Sequence, residues 1–198
     1  MTLQSLTPLA SSAAVLWPHP EGSGVADAMI KTGDGFLIFG TQHMITGNIA
    51  SANGGFGLAP GHSGLGFAVG GTGHLLTTNA ASTNEAMGFF LSGTGHTVTG
   101  NATIGNQGFG MHIGSGGNAT ISKNNFYGNN IVADPNTGLT NCGLRNASGG
   151  SITATDNFWE AASGPDPDPA DDICDDAGTG STTVSVPFAT KEFKIKLP

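Results

Sequence analysis

Short apolar stretches alternate with polar residues along this chain, and the same pattern recurs. The string GFFLSGTGHTVTGN at residues 88–101 is repeated closely as GFAVGGTGHLLTTN at residues 66–79 and as GFLIFGTQHMITGN at residues 35–48. After each opening glycine, buried and outward positions alternate, which is typical of a strand. A glycine-rich corner, a second short apolar strand and an asparagine follow. Each unit therefore predicts two short strands separated by tight turns.

The spacing of the repeats indicates how the units are arranged. The steps between the opening glycines are 31, 22, 22 and 33 residues. Glycine and β-branched residues at this density would destabilise a helix, whereas glycine at a corner supplies the positive φ of a tight turn. One such unit cannot bury its own apolar face, but stacked units about 4.8 Å apart give every strand a parallel partner. The opening glycines are Gly35, Gly66, Gly88, Gly110 and Gly143.

We therefore predict an all-β chain that forms a single right-handed parallel β-helix of about five coils. The predicted organisation is an N-terminal cap over residues 1–30, the β-helix over residues 31–165, and an acidic linker with C-terminal capping strands over residues 166–198. Within the last part, residues 182–188 and 191–197 alternate like edge strands. We expect this tail to cover the C-terminal end of the stack.

The two cysteines, Cys142 and Cys174, are either free thiols or a disulfide. Nothing around them resembles a metal or redox motif. We favour a disulfide that ties the acidic tail back to the last repeat, which would stabilise the fold by closing a long loop. A disulfide in turn indicates an exported protein, because cytosolic thiols stay reduced.

Composition and charge restrict the function classes. The 33 glycines among 198 residues show no Gly-X-Y period, and the formal charge of −8 is concentrated in the acidic tail. Without a basic patch, nucleic acid is not expected as a partner, and without a long apolar run, membrane insertion is not expected. The N-terminus lacks the positive region of a signal peptide. We expect an extracellular, periplasmic or cell-surface location, and the sequence carries no signal for oligomeric state.

The repeat G-φ-x-φ-(S/G)-G-x-x-(H/N)-x-φ-x-x-N resembles the pectate-lyase-like β-helix superfamily. It is most similar to the repeats shared by periplasmic copper-binding proteins and by carbohydrate-binding or sugar-hydrolase β-helices. The string DNFWEAASGPDPDP at residues 156–169 resembles the terminal coil of exported β-helix proteins, with Glu160 where glycine is usual. The resemblance covers about residues 30–165 and implies the fold, but this architecture supports many functions. The calcium-binding aspartates and the catalytic lysine and arginine pattern of its enzymes are not found.

An asparagine ends each repeat at the same corner of the predicted coil. A side-chain amide carries both donors and an acceptor, so stacked asparagines can bond one another and the turn backbone. We predict a structural ladder. Its members are Asn48, Asn79, Asn101 and Asn124.

Three histidines, His43, His74 and His96, share one repeat position, and we align Asn118 and Ser151 with them in the following coils. The copper-binding resemblance raises the hypothesis of a metal site. Stacked residues lie about 4.8 Å apart, whereas a metal needs its nitrogens to converge within about 2.1 Å of one point. We therefore favour a hydrogen-bonding ladder over a metal site.

The outward position in the first strand of each coil is the better candidate for binding. We expect these residues to form one column, walled by insertions at residues 53–63 and 131–141, with His62 and Asp134 on the rims. Such a groove suits a polysaccharide, because Phe90 offers an apolar platform and loops on a rigid scaffold often carry binding groups. The column consists of Leu37, Ala68, Phe90, His112 and Arg145.

Three functions from different classes follow. We favour an exported or cell-surface module that binds carbohydrate or serves a structural role. The alternative is a small polysaccharide lyase, hydrolase or epimerase, in which Arg145 would hold a carboxylate and His112 would act as acid or base. A further alternative is an ice binder that uses Thr41, Thr72 and Thr94. No cofactor is expected; the acidic tail raises calcium, but it lacks the spacing of an EF-hand loop.

Overall fold

The chain folds into a stack of short parallel strands. The computed structural model describes residues 33–54, 64–133, 137–166 and 170–196, together with the strand residues 14–16, 23–24 and 27–28. In chain order the strands are β1 (Ala14–Leu16), β2 (Ser23–Gly24), β3 (Asp27–Ala28), β4 (Phe36–Ile38), β5 (Met44–Thr46), β6 (Ile49–Ser51), β7 (Phe67–Thr72), β8 (Leu75–Thr77), β9 (Ala80–Ser82), β10 (Phe89–Thr94), β11 (His96–Thr99), β12 (Ala102–Ile104), β13 (Met111–Ile113), β14 (Ala119–Ser122), β15 (Asn125–Tyr127), β16 (Cys142–Asn146), β17 (Ser151–Thr153), β18 (Asp172–Asp175) and β19 (Thr182–Val184).

These strands form three sheets that wrap around one core. Sheet A has the order β1-β4-β7-β10-β13-β16-β18, sheet B has β19-β17-β14-β11-β8-β5-β2, and sheet C has β15-β12-β9-β6-β3. Neighbouring strands within each sheet are parallel and differ by one repeat, as in the pairing of Phe67 with Phe89. The prediction of an all-β, right-handed parallel β-helix is confirmed, and every strand gains a partner only from another coil.

The stack is longer than the five predicted coils, because sheets A and B contain seven strands each. Strands β1, β2 and β3 precede the first repeat, and β18 and β19 follow the last one. Strand β18 runs through the acidic segment that the sequence marks as a linker. It pairs in parallel with β16, and Ile173 packs against the core. The repeat signature missed this coil because it has neither the opening glycine nor the closing asparagine.

Apolar columns fill the interior of the helix. The rings of Phe36, Phe67 and Phe89 stack with centroids 4.7 and 4.6 Å apart. The same stacking recurs near the C-terminal end, where Phe126 lies 4.4 Å from Trp159. Because identical positions repeat at one strand spacing, an aromatic ring in one coil supplies the packing surface for the ring in the next.

The opening glycines face the interior under a row of amides. A Cβ on Gly66 would lie 2.5 Å from the carbonyl oxygen of Gly88 and 2.9 Å from Nδ2 of Asn84. Any side chain would therefore collide with the backbone of the next coil. This close approach explains why glycine recurs here.

A disulfide links the C-terminal tail to the last repeat, as the sequence predicted. The Cys142–Cys174 disulfide is confirmed, with its Cα atoms 5.8 Å apart. Phe188 then packs against the core at the C-terminal end of the stack. The second predicted edge strand, over residues 191–197, is wrong for the described residues 191–196, which form no strand. Instead the side chain of Asn125 bonds the N–H and the carbonyl of Phe193 at 2.9 and 2.8 Å.

Candidate functional site

The predicted outward column lies along sheet A in exact register. Leu37 pairs with Ala68, Ala68 with Phe90, Phe90 with His112, and His112 with Arg145. The flanking residues of each strand point inward and are buried, whereas Leu37, Phe90, His112 and Arg145 are half-buried. The structure therefore brings these side chains together on one face, which we call the sheet A face.

Two phenylalanines form the apolar part of the sheet A face. Phe39 is 55% exposed, and its ring lies against Gly70. A Cβ at Gly70 would be only 2.9 Å from the ring atoms. The ring of Phe90 lies in the same way beside Gly114, at 3.1 Å from a Cβ built there. Glycine in the next coil thus leaves space for each ring to lie on the sheet. Our column missed Phe39, although its alternation with Leu37 could have shown it.

The middle of the face is an aromatic and cationic cluster. The His112 ring meets Phe90 and Phe109 edge to face, with centroids 5.4 and 5.5 Å apart. The guanidinium carbon of Arg145 lies 5.1 Å from the centre of the Phe109 ring, a cation–π contact. Phe109 is only 1% exposed yet lies outside the core cluster. It supports the His112 and Arg145 side chains from beneath.

Charge on this face is concentrated at the C-terminal end. Nη2 of Arg145 lies 3.8 Å from Oδ2 of Asp176, and both side chains are half-buried. Asp176 follows β18, and its side chain also accepts a hydrogen bond from the N–H of Gly178, at the start of a short 3₁₀ turn. The disulfide lies in the same region, since Cys174 pairs with Arg145 in the sheet. Asp176 was not among the predicted site residues, because the sequence could not show that β18 joins sheet A.

The predicted rim residues remain predictions. His62 and Asp134 lie outside the described residues. The first insertion was predicted to begin at Asn53, but that side chain is fully buried and bonds Oδ1 of Asn84 at 2.8 Å. The insertion therefore starts after this residue.

The three histidines form a stack in which Nδ1 of His74 and of His96 and all three Nε2 atoms contact backbone groups. The rings of His43, His74 and His96 are parallel, with centroids 5.1 Å apart. Nδ1 of His74 accepts the N–H of His43 at 3.0 Å, and Nδ1 of His96 accepts the N–H of His74 at 3.3 Å. Nε2 of each ring lies 3.0 to 3.1 Å from a carbonyl oxygen four residues earlier, as at Gly70 for His74. A metal ion at this stack would have to break these bonds.

The surroundings of His74 disfavour the charged imidazole. Burial lowers the pKa of His74, and the neighbouring His96 and His43 lower it further, although the Gly70 carbonyl acts in the opposite direction. The contacts of the His74 ring fit the neutral tautomer with the proton on Nε2, because Nδ1 accepts a backbone N–H and Nε2 faces a carbonyl oxygen. Our alignment of Asn118 and Ser151 with this column is wrong by one residue in each case, because Ala119 pairs with His96 and Thr153 pairs with Thr120. The glycine turn before Ala119 is one residue longer than the turn before His96.

The asparagines form two ladders. In the first, Nδ2 of each residue donates to Oδ1 of the next at 2.9 to 3.0 Å. The rungs are the four predicted residues Asn48, Asn79, Asn101 and Asn124, with Asn157 as the fifth. The second ladder was missed, although each of its asparagines lies five residues after a rung of the first. Its rungs are Asn53, Asn84, Asn106, Asn129 and Asp171.

Three carboxylates of the acidic tail are buried or contact other groups of the protein. Asp175 accepts hydrogen bonds from the N–H and the hydroxyl of Thr183 at 2.9 and 2.5 Å. Asp171 is buried, and Asp176 faces Arg145. Among the described residues, no three His, Cys, Asp or Glu side chains are placed to hold a metal ion. Calcium binding by the tail stays a prediction.

Thr41, Thr72 and Thr94 also align, since Thr41 bridges to Thr72 and Thr72 pairs with Thr94. All three are exposed. Gly116 follows after the next step of 22 residues. The threonine column therefore offers little regular surface. Among the described residues, no helix is long and apolar enough to cross a membrane.

Comparison with known proteins identifies one family. The family model described as periplasmic copper-binding protein (NosD) matches residues 24–164. No curated protein shows a significant match, and neither does any solved structure. The matched range contains the repeats, both ladders except Asp171, and most of the sheet A face.

Proposed function

The chain belongs to the NosD periplasmic copper-binding protein family, and we propose that it is a β-helix module that binds a carbohydrate polymer on the sheet A face. The family is exported and has the parallel β-helix fold. The Cys142–Cys174 disulfide suits an oxidising compartment outside the cytoplasm. The location is therefore periplasmic or extracellular.

The observation that supports carbohydrate binding is the in-register column from Leu37 to Arg145. Parallel pairing places one side chain on each strand at about 4.8 Å intervals, so the column is a straight track along the helix axis. Phe39 and Phe90 give apolar surfaces on which sugar rings can rest. Arg145 supplies planar donors for a carboxylate or for hydroxyl groups at the other end. An elongated polymer fits this track better than a compact ligand.

The rigidity of the face also favours binding. The strands below it are fixed by two amide ladders, and the disulfide fixes the end near Arg145. The side chains on the face therefore lose little conformational freedom when a ligand binds, which lowers the entropic cost of association.

A glycan array with the whole chain tests the proposal. The variants are Phe39→Ala, Phe90→Ala and Arg145→Lys, the last of which keeps the charge but loses the planar donors. Ile104→Ala is the matched control, because it removes an exposed apolar side chain from sheet C. We expect each face variant to weaken binding about fivefold or more and the control to bind as wild type. Unchanged binding in all three face variants would exclude the sheet A face.

The enzymatic alternative is tested in the same samples. A lyase, hydrolase or epimerase would place His112 and Arg145 at the reacting sugar, and a lyase or hydrolase would release products from the polymer. Ultraviolet absorbance reports the double bonds formed by a lyase, and a reducing-end assay reports hydrolysis. We expect neither signal from a binding module. Product formation that disappears in His112→Gln would instead establish an enzyme.

A further inference from the structure

A second column of residues runs beside the outward column of the sheet A face. Backbone hydrogen bonds align the residue that precedes each opening glycine, as in the bond from the N–H of Gly66 to the carbonyl of Met87 and the bond from Gly88 to Phe109. The middle of this adjacent column is apolar, and a carboxylate lies at each of its ends. Its members are Asp34, Leu65, Met87, Phe109, Cys142 and Asp172.

Side-chain contacts join the two columns into one surface. The sulfur of Met87 lies 3.3 Å from Nδ1 of His112, and the centre of the Phe109 ring lies 5.1 Å from the guanidinium carbon of Arg145. A ligand that follows the outward column therefore also meets the charges of the adjacent column. From Leu37 to Arg145 the track spans four strand steps, or about 19 Å. A polymer that occupies the whole track reaches both acidic ends.

The charge of Arg145 is compensated within the protein. Its Nη2 lies 3.8 Å from Oδ2 of Asp176, and the other oxygen of Asp176 accepts the N–H of Gly178 at 3.1 Å. The bond from Gly178 holds the carboxylate in place before any ligand arrives. A negatively charged ligand would therefore gain little from Arg145, because Asp176 already faces that charge and repels the ligand.

Among the residues that the structure describes, no other guanidinium or ammonium group lies on the sheet A face. Lys123 follows β14 of sheet B. The remaining described lysines belong to the C-terminal tail, whose Phe193 bonds Asn125 of sheet C. The face and its ends thus carry more carboxylates than cationic side chains. These carboxylates are Asp34, Asp172 and Asp176.

We propose that the sheet A face selects a neutral polysaccharide and rejects acidic ones, an inference that rests on the carbohydrate-binding function proposed above. Carboxylates on the sugar rings would meet Asp176 beside Arg145 and further carboxylates at the ends of the track, and like charges brought together weaken a complex. Hydroxyl and amide oxygens of a neutral polymer accept hydrogen bonds from Arg145 while its ion pair stays intact. Phe39 and Phe90 offer the same apolar surface to both kinds of polymer, so charge decides between them.

The test is a glycan array on which every polymer is present in a neutral and an acidic form, made by oxidation of primary hydroxyls or by reduction of carboxyls. The two forms share their linkages and differ in charge. We expect the whole wild-type chain to bind the neutral form of its ligand at least about tenfold more tightly than the acidic form. Asp176→Asn should improve binding of the acidic form about fivefold or more, because it frees the charge of Arg145. Asparagine is an equally good cap for the turn at Gly178.

Asp175→Asn is the matched control. It removes the same charge one residue away, where the carboxylate bonds Thr183. This variant should keep the wild-type preference for the neutral form. Equal effects of the two variants would show that net charge, and not the pair of Arg145 with Asp176, sets the preference, and would overturn the proposal.

The outcomes separate this inference from the function on which it rests. A wild-type chain that binds the acidic form as tightly as the neutral form would overturn the selectivity and leave the carbohydrate site in place. No binding to either form of any polymer would overturn the carbohydrate site and the selectivity with it. Salt gives an independent readout, because affinity for a neutral polymer should stay constant as the NaCl concentration rises. An affinity that falls steeply with salt would show that charge attraction holds the ligand and would contradict the proposal.

Discussion

The carboxylate of Asp171 accepts two hydrogen bonds from Asn129. Its Oδ1 accepts the backbone N–H at 3.0 Å, and its Oδ2 accepts the side-chain Nδ2 at 2.6 Å. Asp171 ends a ladder whose other rungs are amides, and it has no exposed surface. Burial raises its pKa from 3.8 to about 7, although the Asn129 bonds act in the opposite direction. An ionisable group therefore lies beside the disulfide-linked coil.

Asp171→Asn should stabilise the protein at and above neutral pH. The folded wild type binds an extra proton between the unfolded pKa of 3.8 and the folded pKa of about 7. The contribution of Asp171 to the free energy of unfolding is therefore highest at low pH. It falls as the pH rises through that window, by at most about 4 kcal/mol. Urea unfolding at pH 5 and pH 8 measures this. The variant should gain more at pH 8; a greater gain at pH 5 would contradict the assignment.

The contribution of His74 to stability should change with pH in the direction opposite to that of Asp171. Its pKa is lowered from 6.5 in the fold, so below about pH 6.5 the unfolded chain binds a proton that the folded chain excludes. The stabilisation is complete above that pH and is lost as the pH falls towards the folded value. In Asp171→Asn, where the opposing titration is absent, stability should fall more steeply on acidification. NMR should show that the His74 ring titrates below 6.5; a ring that titrates at or above 6.5 would refute this.

Asn101→Ala should be strongly destabilising. The Oδ1 atom of Asn101 accepts two hydrogen bonds from Asn79, and its Nδ2 donates to Asn124 and to the carbonyl of Leu76. Truncation leaves buried donors and acceptors without partners, at a cost of about 3 to 5 kcal/mol in unfolding free energy. The control is Asn118→Ala, because Asn118 is exposed. Calorimetry should show a large drop in Tm for Asn101→Ala alone, and equal drops would argue against the ladder.

Removal of the disulfide should loosen the C-terminal coil. Cys142 and Cys174 are 32 residues apart in sequence, and closing such a loop contributes about 4 kcal/mol. The double variant Cys142→Ala with Cys174→Ala should lose that amount in urea unfolding. Amide exchange should then rise first in β18 and β19, while β10 stays protected. Uniform loss of protection would show that the last coil is not a separate weak point.

The same measurements in reducing buffer provide the control. Wild-type protein treated with a thiol reductant should approach the stability of the double variant, whereas the variant itself should not respond. A variant that loses stability in the reductant would point to a cause other than the disulfide.

The repeat period, the first asparagine ladder and the outward column could all be predicted from the sequence. Parallel stacking turns equal sequence position into equal position in space, so Phe90 and His112 had to be neighbours once the period was known. The positions of Asp176, Asp171 and Met87 could not be predicted in this way. Asp176 and Asp171 belong to a coil without the repeat signature, and Met87 reaches His112 through a diagonal contact between coils.

The sequence by itself determined the architecture, because each 22-residue unit has an apolar face that only another copy can cover. Tertiary structure decided which groups meet on the surface. It packed His112 between two phenylalanines and beside a sulfur atom, and it used the nitrogens of the histidine stack in backbone bonds. The repeat period of the sequence specifies the column in which a residue lies. The contacts between columns depend on side-chain direction and on the insertions, which the repeat does not encode.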